Sequence, residues 1–132
     1  MDKHSKIFVA GHKGLVGSAI VRNLQSKGYD NFILKTHSEL DLCNQADVES
    51  FFAKERPEYV FLAAAFVGGI IANSKYRADF IYRNLQIQNN VIHYSYLYGV
   101  KKLLFFFFSC IYPRMAVQPI KESSLLTVEL EY

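Results

Sequence analysis

Residues 7–17 read Ile7-Phe8-Val9-Ala10-Gly11-His12-Lys13-Gly14-Leu15-Val16-Gly17, an apolar run followed by a Gly-x-x-Gly-x-x-Gly turn. Apolar residues then recur at helical spacing up to Leu24, and Gly28 marks the end of that helix. A strand that leads through such a turn into a helix predicts a cradle for nucleotide phosphates. The glycines let the backbone approach a diphosphate, and the helix N-terminus presents free N–H groups. All seven residues of the turn, 11–17, are therefore candidate cofactor contacts, with a loop that binds nothing as the alternative.

Length and composition place the chain in a broad class. Its 132 residues are enough for about one domain, and its net charge of +3 is mild. Lys101-Lys102 is the only adjacent basic pair, so we expect no nucleic-acid partner. Cys43 and Cys110 form neither a metal-ligand spacing nor a disulfide framework. We expect a cytoplasmic protein without a metal, a signal peptide or a membrane span.

Strands and helices alternate along the sequence. Further strands are predicted at 32–34, 59–62 and 102–108, and helices start at the cap residue Asn44 and at Asp79. The tail from residue 118 is expected to be a loop. The pattern predicts an α/β fold, a Rossmann-type doubly wound parallel sheet truncated after about four strands, with the spatial order 3-2-1-4. We expect residues 1–132 to form a partial NAD(P)-binding domain that lacks a C-terminal substrate domain.

Basic residues follow the second strand. NAD-specific domains usually carry Asp or Glu there to bind the ribose hydroxyls. This chain has Lys35-Thr36-His37, and Lys13 lies in the glycine turn. Basic groups favour the 2′-phosphate of NADP(H), and His37 is the histidine outside the turn with a plausible ligand role. Solvated surface lysines are the alternative.

Small residues follow the third strand. Ala63, Ala64 and Ala65 lie where doubly wound sheets bind ligands, and they would let a cofactor approach the backbone. A tight crossover turn is the alternative.

Four segments resemble one family. The chain is similar to the N-terminal part of the GDP-L-fucose synthases, which are extended short-chain dehydrogenases/reductases. The matching segments are the glycine turn with its flanks (9–20), Leu-Ala-Ala-Ala-Phe-Val-Gly-Gly-Ile (62–70), Ala-Asp-Phe-Ile-Tyr (78–82) and Ser-Cys-Ile-Tyr-Pro (109–113). The resemblance implies NADPH-dependent epimerisation and reduction of GDP-4-keto-6-deoxy-mannose to GDP-L-fucose.

Site roles follow from that resemblance. Asp41 and Leu42 match a pair that binds the adenine, with a structural capping role for Asp41 as the alternative. Epimerisation beside a ketone needs a base and an acid on opposite faces of the carbon. The resemblance gives Cys110 one of these roles, whereas an inert buried thiol is the alternative for Cys110 and the expectation for Cys43.

Two departures from the family change the expected activity. The family carries Gly-Ser-Ser-Cys, and its catalytic serine is the first of the two serines. Phe108 occupies that position here, Phe107 replaces the glycine, and Ser109 is shifted by one residue. The family's Tyr-x-x-x-Lys pair would fall beyond Tyr132. We therefore expect the isolated chain not to turn over.

Three hypotheses for the function stay open. The first is an enzyme of this family that needs more polypeptide. The second is a non-catalytic NADP-binding remnant, or a fragment that pairs with a second copy or a full-length subunit. The third is another nucleotide-sugar epimerase or dehydratase. The expected partners are a nucleotide cofactor and, for the family, a GDP-sugar substrate.

Overall fold

The computed structural model describes residues 1–106, 111–113, 115–125 and 127. Within these residues there are four strands and four helices, and a 3-10 turn lies at Glu122–Ser124 in the predicted tail loop. In chain order the elements are β1 (Ile7–Ala10), α1 (Leu15–Ser26), β2 (Phe32–Ile33), α2 (Gln45–Glu55), β3 (Tyr59–Leu62), α3 (Ile70–Lys75), α4 (Arg77–Leu97) and β4 (Lys102–Phe105). All described strand pairs are parallel, which confirms the predicted α/β class.

The strand order is β2-β1-β3-β4, so the expected order 3-2-1-4 is wrong. That order needs a third strand on the outer edge of β2. Residues 35–44 instead form turns, in which the N–H groups of Glu39 and Leu40 both donate to the Thr36 carbonyl. The next strand is β3, and all four of its residues pair with β1, whereas β2 pairs over two. β2 and β3 therefore lie on opposite sides of β1, so the direction in which strands are added to the sheet reverses between β1 and β3.

Three element boundaries differ from the sequence predictions, and one helix was not predicted. β2 ends at Ile33, one residue before the end of the predicted strand 32–34. The predicted strand 102–108 ends at Phe105, with Phe106 outside the strand and residues 107 and 108 outside the described part. The long helix begins at Arg77, two residues before Asp79. The short helix α3 precedes it and was not predicted from the small residues around it.

Helix ends follow the local sequence. Asn44 caps α2, because its Oδ1 accepts hydrogen bonds from the N–H groups of Ala46 (3.1 Å) and Asp47 (3.4 Å). Gly28 follows α1 with φ +81°, and its N–H donates to the Gln25 carbonyl. Both predicted boundaries are confirmed.

The central strand is buried on both faces. Ile7 and Val9 pack with Val21 of α1, while Phe8 and Ala10 face α2 and α4. This continuous apolar run is typical of a parallel sheet covered by helices. No helix in the described part of the chain combines the length and apolarity needed to cross a bilayer.

Candidate functional site

The glycine turn lies directly on the end of β3. Gly11 has φ +83°, a conformation that favours glycine. A Cβ on Gly11 would lie 2.6 Å from the Ala63 carbonyl oxygen, and a Cβ on Gly17 would lie 2.6 Å from the Gly11 carbonyl carbon. The turn closes through a 2.9 Å hydrogen bond from the Gly14 N–H to the Gly11 carbonyl. Side chains at Gly11 and Gly17 would push the turn, α1 and β3 apart.

The N-terminus of α1 is open for an anion. Gly14 is the N-cap, and having no side chain it cannot satisfy the N–H groups of the first turn. The first turn begins with Leu15 and Val16, both of which are exposed, followed by Gly17. Free N–H groups and the positive end of the helix dipole favour a phosphate at this point.

His12 and Lys13 differ in surroundings within the turn. The Nδ1 atom of His12 is buried and finds no hydrogen-bond partner among the described residues. Lys13 is exposed, and its charge acts on the Glu39 carboxylate. The Lys13 ammonium group is therefore close enough to the turn that follows β2 for its charge to act there.

The segment after β2 is organised by hydrogen bonds between Thr36 and Glu39. The Glu39 carboxylate accepts hydrogen bonds from the Thr36 hydroxyl (2.6 Å) and the Thr36 N–H (2.8 Å). These two bonds lower the pKa of Glu39, and the charges of Lys35 and Lys13 act in the same direction. Two lysines that are distant in sequence thus lie around one turn, next to exposed His37.

Asp41 and Leu42 take separate positions. The Asp41 carboxylate accepts a hydrogen bond from the Cys43 N–H (2.9 Å), and its Oδ1 lies 3.7 Å from Nδ1 of His37. Asp41 thus stabilises the turn before α2, whose N-cap is Asn44. The Leu42 side chain is buried in the main core.

A cleft of about 610 Å³ lies at the carboxyl ends of β3 and β4. The segment 64–68 forms one wall, and α4 and the end of β4 form the others. Its lining residues are Ala64, Ala65, Phe66, Val67, Gly68, Asn73, Asn84, Ile87, Gln88, Phe105, Phe106 and Ile111. Ala64 and Ala65 line this cleft, whereas Ala63 contacts the glycine turn.

Asn84 and Asn73 hold the cleft wall and were not singled out from the sequence. Asn84 bonds both backbone groups of Phe66, and the Asn73 side-chain amide donates to the carbonyls of Gly68 (2.9 Å) and Gly69 (3.2 Å). The available signal was Asn84 itself, a polar residue between the apolar positions Ile81 and Ile87 of the predicted helix.

Of the two cysteines, Cys43 lies within the described residues. Cys110, Ser109, Phe108 and Phe107 lie outside the described residues, so their predicted roles stay predictions. Burial raises the pKa of the Cys43 thiol, and the neighbouring Asp41 charge raises it further. The Cys43 Sγ donates a hydrogen bond to the Arg83 carbonyl (3.8 Å). Within the described residues, no three His, Cys, Asp or Glu side chains converge as metal ligands would.

Together the fold and the glycine turn define an α/β domain of the doubly wound class, in which turns of this kind bind nucleotide phosphates. The chain belongs to the NAD dependent epimerase/dehydratase family, whose pattern matches residues 7–130.

Similarity to curated proteins is high. The chain is 69% identical over 130 residues to GDP-L-fucose synthase 1 of Arabidopsis thaliana, covering 98% of the chain and 40% of that relative. It is 52% identical over 126 residues to the GDP-L-fucose synthase of Escherichia coli K12, covering 96% of the chain and 39% of that relative. The resemblance read from the sequence is confirmed, and the chain spans about 40% of the length of these relatives.

A solved structure shows the same fold. It is a GDP-D-glycero-L-gluco-heptose synthase from Campylobacter jejuni in the presence of NADPH. Its sequence is 55% identical to this chain, and the two structures superpose with a TM-score of 0.92. The match covers 100% of this chain and 38% of the Campylobacter jejuni chain.

Proposed function

We propose that this chain is the NADPH-binding part of a nucleotide-sugar epimerase and reductase of the GDP-L-fucose synthase type. The observation that carries the proposal is the contact of Gly11 with the Ala63 backbone beside the open N-terminus of α1. This contact lies between β1 and β3, where the strand order reverses and doubly wound sheets bind dinucleotides. Relatives with matching sequence carry the GDP-L-fucose synthase name, and the Campylobacter jejuni structure was solved with NADPH.

The positions of β2 and β3 on either side of β1 suggest how a bound dinucleotide is oriented across the sheet. With the diphosphate at α1, one half of a dinucleotide extends toward β2 and the other toward the cleft beside β3 and β4. Lys35 and Lys13 lie around the turn after β2, where an adenosine 2′-phosphate would be neutralised. The adenosine half is therefore assigned to the β2 side and the nicotinamide half to the cleft. The bound cofactor would supply hydride.

The family resemblance provides the proposed chemistry. We propose Cys110 as an acid or base for epimerisation of a GDP-linked keto sugar. Cys110 directly precedes Ile111, which lines the cleft. Phe108 stands at the serine position and has no hydroxyl to bond a ketone, and Ser109 is a weaker candidate. We propose that turnover also needs sequence equivalent to the remaining length of the relatives. A non-catalytic NADP-binding protein is the second candidate, favoured by Phe108, and another nucleotide-sugar epimerase or dehydratase is the third.

Cofactor titration tests the proposal. Calorimetry should give tighter binding of NADPH than of NADH to the chain. Lys35→Ala should weaken NADPH binding by at least about tenfold, since hydrogen bonds to charged groups contribute about 1.5–3 kcal/mol, and leave NADH binding unchanged. Lys54→Ala, an exposed lysine on α2, is the matched control. Equal affinities for NADPH and NADH would contradict NADP specificity, and binding of neither would contradict the proposal as a whole.

Location and assembly belong to the same proposal. We propose a reducing, cytoplasmic location, because the two cysteines form no disulfide framework.

We also propose that α4 pairs with a second copy of the chain through its exposed apolar side chains, among them Ile81, Leu85 and Tyr96. Light scattering after size-exclusion chromatography should give a dimer that Tyr96→Lys dissociates; a monomeric parent chain would contradict this.

A further inference from the structure

Asn84 makes an unusual set of contacts for a side chain in the first half of a helix. Its Oδ1 accepts a hydrogen bond from the Phe66 N–H (2.8 Å), and its Nδ2 donates to the Phe66 carbonyl (2.9 Å). The same Nδ2 also donates to the Phe80 carbonyl in the preceding helical turn (2.9 Å). The carboxamide therefore pairs with both backbone groups of one residue, as a neighbouring strand would, beyond the last residue of β3.

The Phe66 side chain also packs against α4. Its ring packs on the Phe80 ring at a centroid distance of 4.7 Å, and the Arg83 guanidinium lies 4.6 Å from the Phe66 ring centroid. Gly68 packs against the Phe80 ring, since a Cβ at Gly68 would lie 2.8 Å from Cζ of Phe80. One segment of α4, residues 80–84, thus fixes the path of residues 66–68.

This path forms one wall of the cleft. Residues 64–68 line it opposite Phe105, Phe106 and Ile111. Among the described residues, no ladder hydrogen bond of the sheet reaches Phe66, because β3 ends at Leu62. The Asn84 carboxamide takes over that role in a place where the wall faces a ligand.

We propose that Asn84 is a positioning residue that sets the cleft wall for the nicotinamide half of the cofactor. The inference rests on the proposed function for the identity of the ligand, and on the hydrogen bonds above for the role of the residue. Asn84 touches no reacting atom and acts through the Phe66 backbone. It contributes to binding of the complete dinucleotide and not to binding of its adenosine half.

The test compares NADPH with a ligand that lacks the nicotinamide half. Asn84→Asp keeps the acceptor for the Phe66 N–H but turns an oxygen toward the carbonyls of Phe66 and Phe80. Calorimetry should show about tenfold weaker binding of NADPH, the loss of about one hydrogen bond to the wall. Binding of adenosine 2′,5′-bisphosphate, which lacks the nicotinamide half, should stay within about twofold of the parent chain. Asn89→Asp introduces the same charge at an exposed position of the same helix and should change neither affinity.

Two results of this comparison would overturn the proposal. Unchanged NADPH binding would show that the wall does not need Asn84. Equal weakening of both ligands would show a general structural role. A parent chain that binds neither ligand would instead refute the proposed function.

A second measurement keeps the inference testable without cofactor or variant. In hydrogen exchange followed by nuclear magnetic resonance, the Phe66 amide of the parent chain should be protected although Phe66 lies outside the sheet. The amide of Val67, an exposed residue next in the chain, provides the internal comparison. Exchange of the Phe66 amide at the rate of an unstructured amide would overturn the proposal.

Discussion

Replacing Gly17 with alanine tests the geometry of the turn most directly. The added Cβ would lie 2.6 Å from the Gly11 carbonyl carbon and 3.0 Å from the His12 Cα, whereas ordinary van der Waals contact begins at 3.4 Å. Both neighbours are backbone atoms, which cannot rotate away. Relief therefore needs a movement of about 1 Å between α1 and the turn, and overpacking of this kind costs about 2–3 kcal/mol.

The same movement displaces the N–H groups that would bind a diphosphate. Urea denaturation should show Gly17→Ala destabilised by about 2–3 kcal/mol, and calorimetry should show at least about tenfold weaker NADPH binding. Gly28→Ala is the control, because it adds a methyl group in open space at φ +81°, away from the turn. It should cost about 1 kcal/mol through backbone strain and leave NADPH affinity unchanged. Parent-like affinity in Gly17→Ala, with stability within about 0.5 kcal/mol, would refute the packing argument.

Three further predictions concern the scaffold. Asn44→Ala removes the cap of α2 and should lower the free energy of unfolding by about 1 kcal/mol; an unchanged urea midpoint would contradict the capping role. The Lys101 ion pair and the Lys6 N–H lower the pKa of Glu58 from 4.5, so its stabilisation is present above pH 4.5 and is lost as the pH falls through the lowered value. Glu58→Gln should therefore lower the urea midpoint at pH 7 and approach the parent in acid, and a difference independent of pH would argue against the pair. Because burial raises the pKa of Cys43, iodoacetamide should alkylate it more slowly at pH 8 than it alkylates free cysteine; mass spectrometry of the peptide measures the rate, and an equal rate would contradict this.

Local signals predicted most of the elements correctly. The Asn44 cap, the stop at Gly28 and the apolar run of β1 depend on groups within a few residues of one another, so the sequence is sufficient. The strand order could not be predicted in the same way. It depends on whether residues 35–44 form a strand beside β2, and these residues form turns there instead, held by the hydrogen bonds between Thr36 and Glu39.

The candidate site likewise contains residues that the sequence identifies and contacts that it does not. Gly11 and Gly17 were identified from spacing alone, because close approach of backbone segments demands glycine wherever the turn occurs. The hydrogen bonds of Asn84 could not be identified in this way, since they join residues that are 18 apart in sequence. Their partners are backbone groups, which every residue carries, so no side-chain pattern marks them.

The sequence by itself determined the alternation of strands and helices, the phosphate turn and the family, because these depend on short-range spacing and on residue identity. Only the tertiary structure decided which strand lies beside β1, that Lys13 and Lys35 act on the same carboxylate, and that α4 holds the cleft wall. Those facts depend on contacts between distant segments, and the free energy of such contacts is settled by packing of the whole chain.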